Sequence, residues 1–174
     1  MTPPHDVMVT NLLGHYRPAP DGPAWYRASQ HEAQRIAELS GVTIVVAAGV
    51  IAALSPRVQW AVNVRMAEAL CRTGVTGGLA RSVAAARRIM DGEDPLEVLT
   101  GPKTNAFFRA IMGDEDAAVV DVWMMRAVGL NRSKLTSKQY EAVAAALRSA
   151  AARAGLPTAE FQAQVWTTIR GRAA

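Results

Sequence analysis

Two side chains of opposite charge stand at the heads of consecutive helical segments, Lys103 and, eighteen residues later, Asp121. Lys103 follows Gly101 and Pro102 and falls in the first turn of the helix that the proline opens. A cation there faces the positive end of the helix macrodipole. That field, with any burial, disfavours the ammonium form and brings a neutral, nucleophilic amine closer. Asp121 follows an apolar run, Ala117 to Val120, and its carboxylate can cap the helix behind it. A lysine set against a dipole breaks a local rule, whereas an N-cap aspartate obeys one. Broken local rules tend to mark functional sites, so Lys103 is the more informative of the two. Residue types alone are better explained by a surface lysine and a plain N-cap; the surrounding pattern is what raises the pair.

The elements that must position these groups run from Asp94 to Gly129. Asp94 and Pro95 supply an N-cap and a first-turn proline for a short helix. Thr100, Gly101 and Pro102 make a turn. The next helix carries Ala106, Phe107, Ala110 and Ile111 at helical spacing. An acidic break over residues 113–116 ends it, and the apolar run then leads to Asp121 and a third helix.

This stretch resembles the helix-hairpin-helix DNA glycosylase superfamily, nearest its 8-oxoguanine DNA glycosylase branch. The resemblance rests on Gly101, Lys103 and the run Val119-Val120-Asp121, with residues 53–60, Ala-Leu-Ser-Pro-Arg-Val-Gln-Trp, as the upstream segment between two helices. It covers roughly residues 40 to 130. Leu99 stands where the family has its first hairpin glycine, and Trp123 where it often has histidine. The resemblance implies a bifunctional DNA glycosylase acting on an altered or non-standard base in double-stranded DNA. Lys103 would attack the sugar C1′ and form a Schiff base, and Asp121 would stabilise positive charge on the sugar. Thr100, Gly101, Pro102, Thr104 and Asn105 would meet the phosphate backbone, with the open N–H groups of a helix N-terminus taking a phosphate oxygen. Arg57, Gln59 and Trp60 would face DNA where the family places the side chain that fills the gap left by an extruded base. Phe107, Trp123, Gln162 and Trp166 are candidates for the base pocket. Two other readings keep the same frame: a non-catalytic DNA-binding protein, and a base-modifying enzyme of the kind attributed to phage.

At 174 residues, half of them hydrophobic, the chain can bury a core of its own. Aromatics are 6% and β-branched runs are short, so the expected fold is all-α. The expectation is a single helical domain of about eight helices over residues 21–174, behind an irregular, proline-rich arm over residues 1–20. A net charge of +4 is compatible with a polyanionic partner and does not demand one. Cys71 is the only cysteine, which excludes an internal disulfide and the four-cysteine iron–sulfur cluster of some helix-hairpin-helix glycosylases. His5, His15 and His31 lack metal-site spacing. No cofactor, metal or membrane segment is expected, and the chain is expected to be cytoplasmic and monomeric.

The remaining elements follow from local signals. A helix from Asp21 ends at Ser40-Gly41. Thr43 to Leu54 is apolar all round and belongs at a centre. Ser55 and Pro56 are expected to open a helix running to about Arg72. Further helices are expected over 79–90, from Ser137 to Ala154, and from Pro157 onward.

Overall fold

The computed structural model describes residues 2–18, 21–132 and 134–171, and every regular element among them is helical. Ten helices stand among the described residues where about eight were expected. They fall into two compact units, Ala28–Gly113 and Met1–Arg27 with Asp114–Ala174. Helix α2 (Asp21–Ser40) runs through the boundary between them.

In the unit Ala28–Gly113 the centre is α3 (Ile44–Leu54), buried without interruption from Ala47 to Leu54. Its β-branched start does not become a strand, because Thr43 caps it: Thr43 Oγ1 accepts from Val46 N at 3.2 Å. Around it lie α4 (Trp60–Thr73), α5 (Ala80–Met90), α6 (Pro95–Val98) and α7 (Pro102–Ile111). Gly49 permits a close approach. A Cβ there would stand 3.0 Å from Ile89 Cγ2 and from Pro95 Cγ. Buried Asn63 of α4 donates Nδ2 to Ile51 O at 3.0 Å, pairing a carbonyl near the end of α3.

The start of α4 corrects the sequence reading. Ser55 and Pro56 do not open it; the helix begins at Trp60, with Gln59 as an N-cap that makes no side-chain cap bond. Ser55 instead finishes α3, its hydroxyl donating to Ala52 O at 2.8 Å. Val58 N closes a turn onto Ser55 O at 3.3 Å, and Arg57 sits in that turn at φ 62°. A left-handed residue cannot continue a right-handed helix, so the helix waits until the turn is complete.

The other unit holds α1 (His5–His15), α8 (Val122–Ala127), α9 (Ser137–Ala154) and α10 (Thr158–Arg170). Its core gathers Met8, Leu12, Met124, Leu147, Phe161 and their apolar neighbours. Here too an expectation fails: residues 5–15 form α1 and are no irregular arm, and residues 1, 19 and 20 of that segment lie outside the described residues. Met8, Val9 and Leu12 are buried, and Tyr16 stacks on Phe161 at 5.2 Å. The prolines at 3, 4 and 18 flank the helix without entering it, which proline tolerates well. The caps of α9 follow the sequence closely. Thr136 and Gln139 form a capping box, and Gly155 closes the helix in the left-handed conformation.

Candidate functional site

The turn before Lys103 is built by its own side chains. Asp94 Oδ1 accepts from Leu96 N at 2.8 Å and starts α6, with Pro95 in its first turn. Residues 99–101 then reverse the chain into α7. Asn105 holds this reversal from inside the helix, donating Nδ2 to Leu99 O at 3.3 Å and its backbone N to Gly101 O at 3.0 Å. Thr104 Oγ1 donates to the same Gly101 carbonyl at 2.9 Å. Gly101 has ordinary extended φ and ψ, so the turn does not need glycine for its dihedrals. The space beside it is tight, since a Cβ would sit 3.2 Å from Thr104 Oγ1. Of the residues expected at a phosphate backbone, Thr104 and Asn105 are thus engaged in the turn, while Thr100, Gly101 and Pro102 are exposed.

Lys103 is exposed in the first turn of α7. Among the described residues, the N–H groups of Gly101, Lys103 and Thr104 meet no acceptor. One turn further along the same helical face lies Phe107, which is buried. Its ring meets Trp60 edge-on, centroids 6.3 Å apart. That contact joins the start of α4 to the face of α7 that carries Lys103. Trp60 is half-buried, and Arg57 and Gln59 in the preceding loop are exposed.

Asp121 belongs to the other unit, where a buried irregular segment delivers it. Among the described residues, 117–120 pair with no strand; side chains take the place of a ladder. Val119 N donates to Gln162 Oε1 at 2.8 Å, and Val120 N to the Tyr140 hydroxyl at 3.1 Å. Tyr140 in turn donates to Ala118 O at 2.8 Å. Gln162 completes the tie by donating Nε2 to the Tyr26 hydroxyl at 2.8 Å. Burial raises both tyrosines, Tyr140 to about 12 and Tyr26 well above the usual range, the Asp121 charge adding to each. Gln162 was expected in a base pocket. It is buried, with both ends of its amide engaged inside the unit.

The Asp121 carboxylate is half-buried and held by three N–H donors. Oδ1 accepts from Trp123 N and Met124 N, both at 2.9 Å, which caps α8 as expected from the sequence. Oδ2 accepts from the Trp166 indole Nε1 at 3.1 Å. Both oxygens are therefore oriented, and among the described residues no cation pairs with them. The Trp166 ring is flanked in turn. Trp25 lies 6.2 Å away, centroid to centroid, and the Arg170 guanidinium sits over the indole at 4.8 Å. Trp123 carries Arg126 over its own ring at 4.7 Å. Sequence reasoning found Asp121, Trp123 and Trp166 singly. It missed Tyr26, Tyr140 and Trp25, whose partners are too distant in sequence to announce themselves.

No curated protein matches the chain, and no solved structure matches it. A family model does match, over residues 7–173, nearly the whole length. The chain belongs to that family, a family of unknown function (DUF7178).

Proposed function

We propose that this protein binds double-stranded DNA and excises an altered base, with Lys103 as nucleophile and Asp121 as the charge that stabilises the sugar. The observation that carries the reading is the state of Asp121: a partly exposed carboxylate, fixed by three N–H donors and paired with no cation among the described residues. A plain N-cap needs only the two backbone donors. A carboxylate held on both oxygens is preorganised for positive charge that appears during a reaction. Lys103, at the head of α7 beside unclaimed N–H groups, supplies the primary amine.

The chemistry closes as follows. The nucleotide must first leave the stack, because the sugar carbon is inaccessible inside a duplex. The Lys103 amine bonds to C1′ and the N-glycosidic bond breaks; the base departs with the bonding pair and gains a proton. Ring opening leaves an iminium between Nζ and C1′. Loss of a C2′ proton then expels the 3′ phosphate. Borohydride reduces the iminium and fixes protein to DNA. A duplex carrying an abasic site, treated with borohydride, is expected to give a covalent complex with the wild type. Lys103→Gln abolishes that complex while duplex affinity stays within about 3-fold, an energy difference below 1 kcal/mol. A wild type that gives no complex on abasic or base-damaged duplexes contradicts the proposal.

The exposure of Lys103 favours a second reading. An exposed lysine beside free backbone N–H groups can grip a phosphate without reacting. Under that reading the protein binds duplex DNA, forms no adduct, and loses affinity when Lys103 is neutralised.

A further inference from the structure

We infer that Trp166 is a positioning residue for Asp121, acting through its indole N–H; the inference rests on the excision reading above. The backbone cap uses only Oδ1 of Asp121. A carboxylate held through one oxygen can still swing about its χ2, a broad and soft torsion. The Trp166 Nε1 donor at 3.1 Å removes that freedom by engaging Oδ2. Indole N–H donates and cannot accept, so a carboxylate oxygen is a matched partner for it.

The indole is itself held at three points. Trp25 borders its ring at 6.2 Å, the Arg170 guanidinium covers it at 4.8 Å, and its N–H is committed to Asp121. Trp25 also meets Tyr26 edge-on at 5.0 Å, and Tyr26 is bonded to Gln162 on α10, the helix that carries Trp166. The aromatic layer and the buried polar tie therefore converge on one carboxylate. Arg170 lies in the last turn of α10, where a cation is favoured by the helix dipole, and its stacking leaves the indole N–H edge free to face Asp121. Trp166 was expected to line a base pocket; the geometry points to a role behind the carboxylate.

Two measurements test this. The first needs no activity: deuterium exchange of the Trp166 indole N–H, read by NMR. Exchange in the wild type is expected to be at least about 10-fold slower than in Asp121→Ala, since the net worth of a bond to a charged group reaches that factor. Equal exchange rates overturn the inference. The second is single-turnover cleavage. Trp166→Phe keeps a ring and loses the donor, and is expected to lower the rate about 10-fold or more with KM within about 2-fold. Trp25→Phe, which keeps a ring beside the indole and spares the N–H, is expected to stay within about 3-fold of the wild-type rate. It also guards against a Trp166→Phe protein that folds poorly. An equal loss in both variants assigns the effect to packing and overturns the inference. A wild type that turns over while Trp166→Phe matches it overturns the role of Trp166 alone. A wild type with no turnover, whatever the exchange rates, overturns the excision reading and this role with it.

Discussion

The Tyr140 hydroxyl works in both directions, donating to Ala118 O and accepting from Val120 N, and so stands in for a neighbouring strand. Removing it leaves two buried backbone groups without partners. Tyr140→Phe is expected to destabilise the protein by about 1–3 kcal/mol, measured by urea unfolding. The same residue gives a pH signature. Burial raises Tyr140 to about 12 and lifts Tyr26 as well, above the value of about 10 for an unfolded tyrosine. The native state thus keeps protons that the unfolded chain releases. This contribution to stability is complete below about pH 10 and is lost as the pH rises from there toward 12. A stability profile flat across pH 10–12 would contradict the burial of these hydroxyls. Asp121 as a cap was legible from an apolar run followed by an acid. Its third donor was not, because Trp166 lies 45 residues away and only the packing of α10 brings it there.

At the scale of elements, the turn over 55–58 holds the one non-glycine residue with left-handed φ among the described residues, Arg57 at 62°. An L-residue there carries a penalty of about 1–2 kcal/mol. Arg57→Gly should therefore leave stability unchanged or raise it by up to about 1 kcal/mol, after the entropy that glycine adds to the unfolded chain. The same variant is expected to weaken duplex binding, since Arg57 is exposed in the loop that leads into Trp60. A clear loss of thermal stability would show that the Arg57 side chain is structural. Gly49 supplies the opposite case. Valine there must displace Ile89 and the Pro95 ring, and is expected to destabilise by about 1–3 kcal/mol in denaturant unfolding. The sequence announced most elements through caps and periodicity, as at Asp94 before α6 and Gly41 after α2. It misled at Ser55-Pro56, where a proline that suits the first turn of a helix equally suits a turn. It misled again at residues 5–15, where flanking prolines hid a helix with one buried face.

At the scale of the whole molecule, the chain carries a net charge of +4, and among the described residues no single helix is long and apolar enough to cross a membrane. Duplex binding driven by phosphate contacts must weaken with salt, the slope counting the phosphates neutralised. If Lys103 reacts with the sugar, Lys103→Gln leaves that slope unchanged. If it only grips phosphate, the slope falls by about one. Salt-dependent anisotropy with a fluorescent duplex separates the two. The central claim, that the Lys103 amine itself bonds to the sugar, is tested most directly by locating the reduced adduct. The wild type is treated with borohydride on an abasic duplex, digested, and mapped by mass spectrometry. The account predicts the deoxyribose remnant on the peptide containing Lys103. An adduct confined to Lys134, Lys138 or the chain's terminal amine, or no adduct at all, would contradict it.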